Sequence, residues 1–252
     1  MTTPAGRSRW IRNFHPAPTA RLRLVCFPHA GGSASYFFPL SAALSPEFEV
    51  HVMQYPGRQD RYSESFVDNV EDMADEAFAA LEPLAEAPLA ILGHSMGAVL
   101  AFEVARRLET LADRRPVLVF ASGSRAPSRY VDEQTAMDDE GLVAVMRDLG
   151  GTDPRLLDDP DVLAAFLPAF RNDYRALQAY RCAPDVGISA PVIVMTATDD
   201  PKTSLADARA WHQHTTAGGQ VHTFSGGHFY LEKQPQRVIE VIAGELRAIG
   251  QI

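Results

Sequence analysis

Apolar runs of strand length, regularly separated by helical patterns, limit this 252-residue chain to few architectures. The runs are LRLVCFPHAGG (22–32), FEVHVMQYPG (48–57), PLAILGHS (88–95), PVLVFASGS (116–124), PVIVMTATDD (191–200) and QVHTFSGG (220–227). Several are nearly continuous rather than alternating, the pattern of strands covered on both faces. Between them, VEDMADEAFAALEPL (70–84), GAVLAFEVARRLETL (97–111), SLADARAWHQHT (204–215) and QPQRVIEVIAGELRAIG (234–250) carry apolar residues at helical spacing. Strands alternating with helices predict an α/β fold with a mostly parallel, doubly wound sheet. The length suits one domain over 1–252.

One segment breaks the rhythm. Residues 126–185 hold no convincing strand and read as helices at 138–151 and 159–181, the second interrupted at Pro168. The segment is too long for a loop. It reads as a helical insertion: a small packing subdomain, or a lid, since insertions at the strand-end face of such sheets lie near the site.

Residues 91–98, ILGHSMGA, set Ser95 between Gly93 and Gly97, at the junction of an expected strand and an expected helix. The G-x-S-x-G pattern alone is weak; its place at a strand-to-helix turn gives it meaning, because such a turn lifts the hydroxyl to the top of the sheet. The plain alternative is a helix N-cap. A serine hydroxyl needs a base to take its proton, and in this arrangement the order is serine, acid, histidine. His15, His29, His51 and His94 precede the serine, His212 and His214 sit in a helical pattern, and His222 lies within a strand. His228, in SGGHFY after a strand end, is the preferred base. TATDDP offers Asp199 and Asp200; Asp200 is preferred because Pro201 biases it to an extended backbone. The oxyanion needs two donors: the backbone N–H of Met96, and that of Ala30 in PHAGG, where glycines allow close approach. His29 either shapes that loop or is a structural hydrogen-bonder.

Composition narrows the partners. The net charge of −9 argues against a nucleic-acid or anionic-membrane binder. Cys26 and Cys182 form neither a disulfide framework nor part of a metal-binding cluster. MTTPAGRSRWIRNFHP has no apolar core of a secretory signal, and no stretch has membrane-spanning length, so the cytoplasm is the expectation.

FPHAGGSASYF (27–37), QYPGRQDR (54–61), GHSMGA (93–98), DDP (199–201) and GGHFYL (226–231) together resemble type II thioesterases, free-standing α/β-hydrolases that accompany polyketide synthases and nonribosomal peptide synthetases. The resemblance runs over nearly the whole chain, and PHAGG followed by YPGR is its most specific part. It implies an α/β-hydrolase fold with Ser95 as nucleophile, Asp200 as acid, His228 as base, and Ala30 and Met96 as oxyanion donors. Relatives often have a glycine two or three residues before the acid, where this chain has TATDDP. The implied activity is hydrolysis of acyl groups from the phosphopantetheine arm of acyl or peptidyl carrier domains, clearing stalled or misloaded units. No cofactor is implied, because the substrate carries the phosphopantetheine. A monomer is the expected state.

The arm would enter beneath the insertion, with Leu163, Phe166, Leu167, Phe170 and Tyr174 lining or supporting its channel, although their spacing suits core packing equally. Carrier domains are typically acidic and so is this chain, leaving Arg58, Arg61, Arg125 and Arg129 as a local docking patch or as ordinary solvated charge. Competing readings are a small ester or lactone hydrolase, a product-releasing thioesterase, and a non-catalytic scaffold of the same fold. The start at Met1 without carrier-domain sequence favours a free-standing polypeptide over a release domain, and three intact triad candidates disfavour the scaffold.

Overall fold

The computed structural model describes residues 9–130 and 137–250. Part of the N-terminal stretch read for a leader, and residues 131–136 of the insertion, lie outside the described residues. The strands are β1 (Ile11–Arg12), β2 (Arg23–Phe27), β3 (Glu49–Met53), β4 (Leu89–His94), β5 (Leu118–Ser122), β6 (Val192–Ala197) and β7 (Val221–Phe224). The helices are α1 (Phe38–Leu44), α2 (Val70–Leu81), α3 (Met96–Leu111), α4 (Asp139–Leu149), α5 (Pro160–Ala179), α6 (Leu205–Arg209), α7 (Tyr230–Lys233) and α8 (Pro235–Gly250).

The strands form one sheet in the order β1-β3-β2-β4-β5-β6-β7. β1 is antiparallel to β3; every other pairing is parallel. Period-2 alternation sends Val25, Phe27, Ile91, Val119 and Val194 to one face and Leu24, Cys26, Leu92, Phe120 and Met195 to the other. The first face packs on α2, α3 and the insertion helices, the second on α1 and α8. This three-layer burial explains why the strand runs are nearly continuous in hydrophobicity. The first turns of α3 lie under the sheet, with Val99, Leu100, Ala101, Phe102 and Val104 completely buried, while its last turn at Thr110 and Leu111 is exposed.

The direction of winding reverses between β2 and β4, which are neighbours in the sheet. Loops leaving the carboxyl ends of such neighbours diverge and open a crevice. The loop after β2 spans residues 28–33, and the turn after β4 holds Ser95.

α4 and α5 lie between β5 and β6, and residues 137–185 contain no strand. Pro160 begins α5, where Asp159 accepts hydrogen bonds from the backbone N–H groups of Asp161 and Val162. α5 is continuous through Pro168, contrary to the expected interruption. Pro168 is exposed, so the carbonyl it leaves without a donor faces water. Among the described residues no helix is long and apolar enough to cross a membrane.

Candidate active site

Ser95 sits between β4 and α3 with φ 57° and ψ −119°, a backbone conformation that costs a non-glycine residue about 1–3 kcal/mol. The turn is held by its surroundings. Ser95 N–H donates to the Ser122 carbonyl at the end of β5 (2.8 Å), and Ala98 N–H donates to the Ser95 carbonyl (2.9 Å). Close packing makes it possible: a Cβ on Gly97 would stand 2.0 Å from the Phe27 carbonyl oxygen, and one on Gly93 2.0 Å from the Gly97 carbonyl oxygen. Met96 opens α3, so its N–H belongs to a first helical turn that has no partner within the helix.

His228 follows β7, and its Nδ1 lies 2.8 Å from Asp200 Oδ2. Both side chains are closed off, at 2% and 0% exposure. Asp200 Oδ1 accepts the backbone N–H of Lys202 (2.9 Å), which fixes the carboxylate plane. Asp199 is exposed and accepts only a local hydrogen bond from the Thr198 hydroxyl (3.1 Å). A carboxylate on Nδ1 sets the imidazole tautomer and leaves Nε2 for other work. His222 is elsewhere, on β7 with Nε2 2.8 Å from Glu245 of α8.

Ser95 and His228 line two adjoining clefts. One is bounded by Gly123, Ser124, Tyr130, Leu149 and Thr203. The other is bounded by Ala30, Gly31, Met146, Phe166, Phe170 and Phe229. Tyr174 and Leu177 of α5 border both. Of the insertion residues singled out from sequence, Phe166, Phe170 and Tyr174 therefore line the crevice at Ser95. Leu163 lines an outer groove of about 300 Å³ that continues from it. Leu167 is buried in the core beneath.

Two further histidines stand behind His228. His94 packs 5.1 Å from it, centroid to centroid, and His29 lies 6.1 Å from His94. Burial, with the nearby charge of His228 adding to it, pushes His29 down to about 3. Burial likewise holds His94 well below the usual imidazole range. Both are neutral near pH 7, so neither places a positive charge against His228. His94 Nδ1 is 3.0 Å from the Ser122 hydroxyl, which is shared with the Tyr230 hydroxyl. Sequence reasoning picked out His29 but not the support from His94, Ser122 and Tyr230, because those contacts span separate elements.

The arginines correct one expectation. Arg58 and Arg61 are buried, at 4% and 6% exposure, and cannot form a docking patch. Arg58 pairs with Asp173 of α5; Arg61 donates to the Gln54 carbonyl (2.7 Å) and pairs with Glu64 (2.7 Å). Arg129 is exposed, while Arg125 is half-buried and donates to the Lys202 carbonyl (3.0 Å). Among the described residues no cluster of His, Cys, Asp and Glu is arranged to hold a metal ion.

A hydroxyl on a strained turn and a carboxylate-held imidazole beside one crevice make a set suited to acyl transfer. With the parallel sheet, they define an α/β-hydrolase. The model of the thioesterase domain matches residues 22–246, and the chain belongs to that family of thioester hydrolases. Thioesterase PikA5 of Streptomyces venezuelae is 45% identical over 239 residues, covering 94% of this chain and 85% of that protein. The probable cadicidin biosynthesis thioesterase of Streptomyces griseus is 46% identical over 240 residues, covering 95% of this chain and 66% of that protein. The solved structure of the type II thioesterase BorB from the borrelidin biosynthetic cluster matches with a TM-score of 0.87 at 41% identity, covering 97% of this chain and 100% of that one.

Proposed function

We propose that this chain is an editing thioesterase of a polyketide or nonribosomal peptide synthase, acting on acyl groups carried by phosphopantetheine on carrier domains. The observation that carries the reading is the convergence of the Asp200–His228 hydrogen bond and Ser95 on one crevice.

Ser95 Oγ attacks the thioester carbonyl while His228 Nε2 takes the hydroxyl proton. The oxyanion is held by the N–H groups of Ala30, in the loop after β2, and Met96, the first residue of α3, on either side of the winding reversal. Asp200 holds the Nδ1 proton and steadies the imidazolium. The carbon–sulfur bond breaks, and the pantetheine thiol leaves with the proton from His228. Water, deprotonated by His228, attacks the acyl-Ser95 ester; the free acid departs and Ser95 recovers its proton. No cofactor takes part.

In this reading the chain is a single domain, and α4 with α5 is a lid over the crevice. The two clefts beside Ser95 measure about 60 Å³ each and open toward the outer groove of about 300 Å³, so an acyl group at Ser95 has space leading away under the insertion. The docking partner is a carrier domain, met in the cytoplasm by a monomer.

The test is a panel of carrier proteins bearing acetyl, propionyl, octanoyl and full-length chains, with Ser95→Ala as control. Short chains should turn over fastest, and Ser95→Ala should lose roughly 10³-fold or more in kcat. Faster hydrolysis of matched oxygen esters, or of the full-length chain, refutes the editing role.

A further inference from the structure

The loop after β2 is held from outside by residues of the YPGR stretch and of α5. Tyr55 Oη donates to the Pro28 carbonyl (3.0 Å). Gln54 Oε1 accepts the Ala34 N–H (2.8 Å), and Gln54 Nε2 donates to the Arg58 carbonyl (3.0 Å). The third hold comes from the insertion: Asp173 Oδ2 accepts the backbone N–H of Gly31 (2.7 Å) and also pairs with the Arg58 guanidinium. Asp173 is completely buried, and Phe170, one turn earlier, lies against Gly31, whose φ of +71° suits glycine.

These contacts bear on one atom. The peptide before Ala30 carries the Ala30 N–H and the His29 carbonyl, and that carbonyl accepts the Gly32 N–H (2.9 Å). The peptide after Ala30 carries the Gly31 N–H, and Asp173 accepts it. Both peptide planes flanking Ala30 are thereby tied down, the second by a residue 142 positions away. A buried ion pair is a weak source of stability, since desolvation offsets the attraction. Here Arg58 Nε is also left buried without a partner. The pair does little for stability that packed apolar side chains would not do, yet it places an acceptor on the Gly31 N–H.

We propose that Asp173 is a positioning residue for the oxyanion site: it fixes the Ala30–Gly31 peptide so that the Ala30 N–H points at the developing oxyanion, and Arg58 holds the carboxylate in place. The inference rests on the reading of Ala30 as a donor to the Ser95 adduct. It makes α5 part of the catalytic geometry as well as a wall of the crevice.

The experiment uses the full chain, a short acyl-pantetheine thioester and a trifluoromethyl ketone analogue of the acyl chain, which forms a tetrahedral adduct with serine. The double variant Arg58→Met with Asp173→Leu replaces the pair by apolar groups of similar volume and is expected to fold, as checked by melting. Its kcat should fall roughly 10²-fold with KM changed less than about threefold, and the ketone should bind weaker by a similar factor. Arg58→Met with Asp173→Asn keeps an acceptor for Gly31 without a buried charge, and should recover most of the lost kcat. Should the leucine variant not fold, Asp173→Glu keeps the charge but displaces the acceptor, and should lower kcat and ketone affinity while sparing KM. Wild-type kcat and ketone affinity in a folded variant lacking the acceptor overturn the proposal, as does an asparagine variant no better than the leucine one. A wild-type chain whose thioester hydrolysis is unaffected by Ser95→Ala removes the underlying site reading instead.

Discussion

Replacing Gly97 by alanine should damage the enzyme in a way its helical position hides. In a helix, Gly→Ala ordinarily adds about 0.5–1 kcal/mol of stability. Here the new Cβ would stand 2.0 Å from the Phe27 carbonyl oxygen, 2.6 Å from its carbon and 2.7 Å from the Pro28 oxygen. All three are backbone atoms, and Cβ contacts under 3.0 Å are essentially never seen, so the start of α3 and the end of β2 must part by about 1 Å. The first of those ends carries the Met96 N–H, and the second leads three residues on to Ala30. A 1 Å error at a reacting centre costs roughly 10²-fold in rate, and the overpacking costs about 1–3 kcal/mol. The assay is kcat and KM on a short acyl-pantetheine thioester, with melting in parallel. Gly244→Ala is the control: it lies on α8 with no atom within 4 Å of the added Cβ, and should gain stability with unchanged activity. A Gly97→Ala protein with wild-type kcat and a raised Tm refutes the reasoning.

Other substitutions probe other contacts. Asp200→Asn should lower kcat by roughly 10²–10⁴, whereas exposed Asp199→Asn should stay within about threefold; equal losses would detach Asp200 from His228. Acidification should destabilise the fold through His29 and His94, which remain neutral in the native chain while their unfolded counterparts protonate near pH 6.5. Below that pH the unfolded state binds more protons, so stability falls by about 1.4 kcal/mol per pH unit for each, continuing toward about 3 for His29. His94→Phe should make stability fall less steeply as pH drops below about 6.5, and an unchanged slope there counts against it. Tyr180→Phe removes a buried hydrogen bond to Glu103 (2.8 Å) and should cost about 1.5–3 kcal/mol in denaturant unfolding, with kcat on short chains kept.

Strand centres and long helices were legible because their signal is periodic and local. Strands β2 to β7 fall inside the apolar runs, and α3 begins one residue before its predicted start. Elements with no period to display were not legible: β1 has two residues, α1 begins in an aromatic stretch with Pro39, and α7 spans four residues. Pro168 is a local breaker whose effect depends on which helix face meets water. At the site, the positions of Ser95, Asp200 and His228 at strand ends could be read from turn chemistry. The burial of Arg58 could not, because its acceptor, Asp173, lies 115 residues away and nothing local distinguishes it from a solvated arginine. His94 was visible as a letter of the motif, but its closed environment comes from Tyr36, Phe229 and Tyr230.

The contact between Gly31 and Asp173 also orders events in time. A ribosome releases the serine turn and the loop after β2 early, but the helix that pins that loop emerges only after β5, and the aspartate and histidine later still. A partly made chain therefore carries Ser95 without His228, Asp200 or the Asp173 contact on the loop after β2. Under the proposed roles, such a chain should not hydrolyse thioesters until α5 and the segment after β7 have been made, and fragments ending before them should be inactive.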